Sequence, residues 1–263
     1  MSVQSENPTV VVGRKPVVAA LASADVNIEC VYLRRDMKNS IAAVIRQACG
    51  EQGVPVKFVP QEKLGRLAGG ALHQGVVAVT TAIELVDLES MLADIAPSWD
   101  ETIRLKPLLL IADRIADPHN LGAIVRSAAA FGCSGIILPE RNSAPLGSTT
   151  IKASAGAALS MRFARVGNVG QAIRQLKERG YWVAGLAGGG SVSLNEADWD
   201  RPIVLVVGSE ADGISKGVES ECDLLVSIPI SPSVESLNAS VAAGVALHAA
   251  ARARILAGRG GSD

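Results

Sequence analysis

Three short stretches place polar side chains where they could do chemistry. The first is DRIADPHNLGAIVRSAAAFG, residues 113–132, in which Arg126 sits on a helix whose stripe is Leu121, Ile124, Val125, Ala128 and Phe131. The second is VVGSEADGIS, where Gly208 and Glu210 follow an aliphatic run. The third is SIPISPSVESLNASVAAG, where a strand pattern ends at Ile228-Pro229 and Ser236-Leu237-Asn238 opens a long helix. An arginine among small residues either snorkels from an apolar surface or is held for anionic charge, such as a phosphate or a developing alkoxide. Taken singly, Asn120, Ser236 and Asn238 read as helix caps, Gly208 as a turn residue and Glu210 as a solvated loop acid. Together they are three exits, each following an apolar strand, and ligands of open α/β sheets bind beyond the carboxyl ends of strands.

Other site chemistries do not fit. No G-x-G-x-x-G follows a strand; GLAGGGS, residues 185–191, has the wrong spacing and no following helix. No G-x-x-x-x-G-K-[ST] is present to cradle nucleotide phosphates, and no G-x-S-x-G elbow presents a serine. Cys30, Cys49, Cys133 and Cys222, with His73, His119 and His248, are scattered, so neither a metal site nor a disulfide framework is expected.

The elements that must hold these residues follow from pattern. The chain has 263 residues, 48% of them hydrophobic but only 3% aromatic, which suits aliphatic strands and alanine-rich helices. VVVGRKPVVAALAS reads as strand, turn and helix; ECVYLRR, VPVKFVP and QGVVAVTTA as strands; SIAAVIRQACGEQG and EKLGRLAGG as helices. These form a small α/β domain over 11–83, after a flexible tail over 1–10. Residues 84–101 carry six acids and no base, and 84–106 is expected as an acidic linker. The second domain, 107–258, alternates PLLLIAD, SGIILP, MRFARV, YWVAGLA, PIVLVVG and LLVSIPI with helices at 120–131, TTIKASAGAAL, VGQAIRQLKERG and about 237–256. Strands buried on both faces imply a mostly parallel, doubly wound sheet.

The net charge of −1 divides unevenly: +3 over 1–83, −6 over 84–101 and +2 beyond. Two mildly basic parts permit an RNA partner without demanding one. Arg14, Lys15, Arg34 and Arg35 are candidate phosphate contacts, or ordinary surface charge. No apolar run approaches the ~20 residues needed to span a bilayer. MSVQSENPT lacks the layout of a secretion signal. A cytoplasmic protein is expected.

The three stretches, in this order, resemble the three motifs of the SpoU/TrmH class of SPOUT RNA ribose 2′-O-methyltransferases. GRKPVVAAL and HQGVVA are similar to the substrate-binding domain of the subgroup that methylates a 23S rRNA guanosine. The resemblance spans about Val11 to Arg254. It implies a C-terminal SPOUT domain with a deep trefoil knot, a homodimer formed through that domain, and an N-terminal domain like ribosomal protein L30e that presents RNA. It implies S-adenosylmethionine as cofactor, contacted at Gly208, Ile228 and Leu237, with no metal and no membrane. It makes Arg126, Asn120, Glu210, Ser236 and Asn238 the catalytic set. Ala211 and Pro232 stand where many relatives have glycine.

Because a guanidinium ordinarily keeps its proton, Arg126 is expected to bind the phosphate beside the ribose and stabilise the alkoxide, or else to take the proton after its basicity is lowered. His119 and Glu210 remain open as conventional bases. Asn120 is expected to orient Arg126. Six positions apart on a helix they point about 240° around the axis, so they meet only if Asn120 is the cap. A tRNA target, a 23S adenosine whose methylation gives thiostrepton resistance, and a non-catalytic ribosome-assembly factor are the alternatives.

Overall fold

The computed structural model describes residues 9–22, 28–37, 40–80 and 83–260; residues 1–8 of the expected tail lie outside the described residues. The chain divides into two compact units, 1–84 with 145–160 and 85–144 with 161–263.

The first unit begins with β1 (Thr9–Val12), so residues 9 and 10, expected in the tail, are strand. α1 (Arg14–Ala22), β2 (Ile28–Arg34), α2 (Ser40–Glu51), β3 (Val56–Val59), α3 (Gln61–Leu67) and β4 (Val76–Thr80) follow. The sheet order is β1-β4-β2-β3: β4 runs antiparallel to both its neighbours, and β3 is parallel to β2. Val12, Val59, Leu64, Ala68 and Val77 form one buried cluster, which seats α3. α1 buries Val17, Ala20 and Leu21, and α2 buries Ala42, Ile45 and Cys49, the helical spacing expected of their apolar stripes.

The second unit opens with β5 (Leu85–Val86), α4 (Leu88–Ile95) and α5 (Trp99–Leu105). This corrects the expected linker. β5 pairs in parallel with a later strand, and Leu88, Met91 and Leu92 of α4 enter the unit's core. Asp87 caps α4 by accepting from the Ser90 amide at 2.9 Å, so one of the acids counted as linker charge is a helix cap.

Next come β6 (Leu108–Ala112), α6 (Pro118–Ala130) and β7 (Gly135–Pro139). Residues 145–160, with α7 (Ser148–Ala153) and a 3-10 turn at Ala157–Leu159, group with the first unit instead of the second. The reason is long-range: α7 packs on β1, and Ile151 and Ala158 are fully buried. The chain then completes the second unit through β8 (Phe163–Val166), α8 (Val169–Glu178), β9 (Trp182–Leu186), β10 (Val192–Ser193), β11 (Ile203–Val207), α9 (Lys216–Glu219), β12 (Leu224–Ser227) and α10 (Ala239–Gly260).

Its eight strands are ordered β10-β12-β9-β11-β6-β7-β8-β5, and every pairing is parallel. β6, β7 and β11 are buried along their whole length, the signature of a sheet covered on both faces. Leu109, Ile111, Ile137, Val204 and Val206 pack with α4 and α8 on one face. α10 packs against α6, β9 and β11. At the amino ends of β6 and β11, Arg254 of α10 donates to the carbonyls of Lys106 (2.7 Å), Arg201 (2.8 Å), Trp199 (3.2 Å) and Pro107 (3.5 Å).

Candidate active site

The strand order reverses around β6. The chain passes outward through β7 and β8, then returns to the other side, where β11 lies between β6 and β9. Crevices at such switch points, beyond the carboxyl ends of the strands, bind ligands in open α/β sheets. Here the ends of β9, β11 and β12 enclose a cavity of about 210 Å³. Leu186, Val207, Ile228 and Leu237 give it apolar walls, Gly188 and Gly208 give it backbone, and Glu210 and Glu235 are its two carboxylates.

The β11 loop folds back on itself tightly. Ser209 and Gly213 exchange backbone hydrogen bonds of 3.0 and 2.9 Å. A Cβ at Gly208 would lie 2.1 Å from the Gly213 carbonyl carbon, so no side chain fits there while the loop keeps this shape.

Three loops meet at the rim through three side chains. Asn120 Nδ2 donates to Glu210 Oε1 at 3.0 Å. Asn238 Nδ2 donates to Asn120 Oδ1 at 3.1 Å and also to Glu210 Oε1. Asn238 Oδ1 accepts from the Ser240 and Val241 amides at 3.0 and 3.3 Å, capping α10. One residue thus starts the last helix and ties it to the other two loops. α10 accordingly begins two residues later than expected and extends past 256.

Of the eight residues singled out by sequence, Gly208, Glu210, Ile228, Ser236 and Leu237 line the cavity. Asn120 and Asn238 join it through Glu210. Arg126 does not: it is exposed on α6 and outside the cavity wall. Nor does Asn120 orient it. The cap of α6 is Asp117, whose carboxylate accepts from the His119 amide at 3.0 Å, and Pro118 takes the first helical position. Asn120 is inside the helix, so it points away from Arg126, toward Glu210. The Asp-Pro pair is a standard start signal that outweighs the asparagine. Glu210 holds two amides, and Arg114 pairs instead with Asp212 of the same loop. Ala211 and Pro232 are exposed and outside the cavity wall.

The residues missed include Leu186, Ala187 and Gly188, a fourth strand exit, and Glu235, the second carboxylate of the wall. The glycine run after β9 was the available signal. Gly190 is needed because a Cβ there would come within 2.6 Å of the Val226 backbone in β12. Such glycines serve strand packing, so no ligand-motif spacing marks them.

Comparison with known proteins then decides the family. Residues 107–248 match the SpoU rRNA Methylase family, and residues 10–86 match the RNA 2′-O ribose methyltransferase substrate binding family. The chain belongs to the SpoU rRNA methylase family. It is 35% identical over 250 residues to YacO of Bacillus subtilis, assigned to the TrmH family of tRNA/rRNA methyltransferases, covering 95% of this chain and 98% of that one. An AdoMet-bound rRNA methyltransferase from Sinorhizobium meliloti superposes with a TM-score of 0.73 at 27% identity, over 93% of this chain and 87% of that one. The SpoU methyltransferase AviRb from Streptomyces viridochromogenes shares the fold, with a TM-score of 0.75 at 24% identity over 94% of this chain and 90% of that one. As a SpoU-family member the chain is an RNA methyltransferase. Among the described residues no helix is long and apolar enough to cross a membrane, and no His/Cys/Asp/Glu group could hold a metal ion.

Proposed function

We propose that this SpoU-family chain methylates a ribose 2′-hydroxyl of RNA, using S-adenosylmethionine, as a cytoplasmic homodimer, and that its target is a guanosine of 23S rRNA in the peptidyl-transferase region. The carrying observation is that Asn120, Glu210 and Asn238 tie three loops around one cavity at the carboxyl ends of the sheet.

The lining fits the cofactor's chemistry. Aliphatic side chains and exposed backbone suit a neutral adenine, two carboxylates suit a cation, and no lysine or arginine lines the wall to favour a polyphosphate. When bound, S-adenosylmethionine supplies a methyl group made electrophilic by its sulfonium. Leu186, Ile228 and Leu237 would hold the ring and keep water from it. Glu210, already engaged by two amides, holds the rim closed, and Ser236 faces the substrate edge. Knotted threading of the C-terminal segment belongs to the same family reading.

Arg126 is assigned to the RNA phosphate beside the target ribose. There its guanidinium stabilises negative charge on the 2′-oxygen as the proton leaves. Since it lies outside the cavity of its own chain, the homodimer supplies the geometry. Arg126 stands beside a groove between α6 and α10, of about 490 Å³, lined by Ala123, Ser127, Phe131, Val241, Gly244 and Val245. Val241 is 50% exposed, an apolar side chain without cover. A second copy on this face would bring each Arg126 to its partner's cavity.

Two experiments test the reading. Mixing Arg126→Ala protein with Leu237→Asp protein should regenerate one complete site per mixed dimer and restore methylation that neither variant shows alone; no restoration would put Arg126 and the cofactor site in one chain. Mapping 2′-O-methyl groups on RNA from cells lacking the protein should show one lost guanosine mark in 23S rRNA. A lost tRNA mark or a lost 23S adenosine mark would replace the substrate, and no lost mark would leave an assembly factor.

A further inference from the structure

Immediately after β6, two residues that the proposed chemistry does not use grip the β11 loop. Asp113 is 3% exposed, and its Oδ2 accepts from the Ser215 amide at 2.9 Å. Arg114 takes a left-handed backbone, φ +58°, which is uncommon for a residue with a side chain. That twist sends its guanidinium across to the loop, where Nη2 donates to the Gly213 carbonyl at 3.2 Å and Nη1 reaches the Asp212 carboxylate at 3.5 Å. Nε lies 3.6 Å from the Asp113 carboxylate, so one buried acid braces both the loop amide and the arginine.

The Gly213 carbonyl is also the acceptor for the Ser209 amide, at 3.0 Å. Arg114 therefore holds the same oxygen that closes the loop carrying Gly208, Ser209 and Glu210, all three of them in the cavity wall. The β6 exit thus latches the β11 loop twice, at Asp113–Arg114 and again six residues on at Asn120. The first latch acts on the Gly213 carbonyl and the second on Glu210 at the cavity rim. Backbone strain at a non-glycine residue persists where surrounding contacts over-determine it, and here those contacts shape a binding wall.

From this we infer that Arg114 is a positioning residue: it holds the 208–215 loop in the cavity-forming shape and so sets affinity for the adenosyl cofactor without touching it. The cofactor part of this inference rests on the proposed function. The latch itself does not.

The test uses Arg114→Gly and Arg114→Lys in the full chain. Glycine adopts the left-handed backbone at no steric cost, so Arg114→Gly removes the guanidinium while leaving the turn unstrained, and the variant should still fold. Hydrogen exchange at the Ser209 and Gly213 amides should speed up about tenfold, because the loop opens locally more often. The dissociation constant of S-adenosylmethionine and its KM should both rise about tenfold, the size typical of a coupling that acts through structure, while kcat at saturating cofactor stays within about twofold. Arg114→Lys, which keeps one donor for the Gly213 carbonyl, should recover part of both effects.

Unchanged exchange at Ser209 and Gly213 in Arg114→Gly would overturn the latch. Faster exchange with unchanged cofactor affinity would overturn its role in binding. If the unmodified chain bound no S-adenosylmethionine, the proposed function would fail while the exchange measurement still decided the latch.

Discussion

At its amino end the eight-stranded sheet is closed by buried and half-buried side chains, and three of them, Arg254, Cys133 and Cys222, bond to main-chain carbonyls. Arg254 spends its guanidinium on four backbone carbonyls, and burial holds its pKa below the usual range. Cys133, Tyr181 and Cys222 precede β7, β9 and β12 there, and burial pushes each up to about 12. At the carboxyl end the polar groups are on loops and reach one another: Asn120 to Glu210 to Asn238, Arg114 to Asp212. Glu210 and Asn238 are exposed, and so are Ile230 and Val234 of the loop before α10. Stability is concentrated where side chains satisfy buried backbone, and binding capacity where side chains hold loops open to solvent. Two arginines express this contrast: Arg254 is tied to the fold, and Arg126 makes no hydrogen bond or ion pair among the described residues.

The contrast breaks if the two arginines behave alike. Arg126→Ala should lower methylation by about 10²–10³-fold, the loss typical of removing one group that stabilises developing charge, with stability within about 0.5 kcal/mol of the parent. Urea unfolding and single-turnover methylation on the same preparation separate these quantities. Arg254→Ala should do the reverse. It strips four carbonyls of a donor and should cost about 2–4 kcal/mol, with activity per folded molecule preserved. A stable Arg254→Ala protein would show that the amino end does not carry the fold.

Asn238→Ala sharpens the comparison, because Asn238 serves both ends of the bargain as cap and as tie. Loss of the cap should cost about 1 kcal/mol, and the cofactor should bind more weakly than that stability loss accounts for; a fall in stability alone would reduce Asn238 to a cap. The smallest effect concerns pH. The native chain keeps the protons of Cys133 and Cys222 up to about 12, whereas an ordinary thiol releases its proton near 9.0. Their contribution to stability is therefore complete below pH 9 and declines as pH rises through the window to 12. Urea midpoints measured across pH 8–11 should fall only above pH 9, and both thiols should resist alkylation at neutral pH until the chain unfolds.

Much of this arrangement was legible in the residues. β6 and β11 are uninterrupted aliphatic runs because each is covered on both faces, and that pattern alone predicted a parallel sheet with chemistry at its strand exits. The Gly208, Glu210 and Asn238 positions stood out for being polar or small directly after such runs. What escaped was set by distance. α4 hides three core residues behind an acidic surface, so a charge count over 84–101 reads it as solvent-facing linker. The helical segment at 148–153 follows β7 in sequence but packs on β1, a contact no local pattern encodes. The β9 exit lacks a ligand signature because its glycines answer to the neighbouring strand. Asn120 stands three residues past the true cap, Asp117, and that shift directs it to Glu210 instead of Arg126.

Isothermal titration of S-adenosylmethionine into the unmodified chain and into Leu237→Asp tests the cavity assignment most directly. One site per chain in the first and none in the second, with matching far-UV spectra, is the expected result. No binding to the unmodified chain, or equal binding to both, would contradict it.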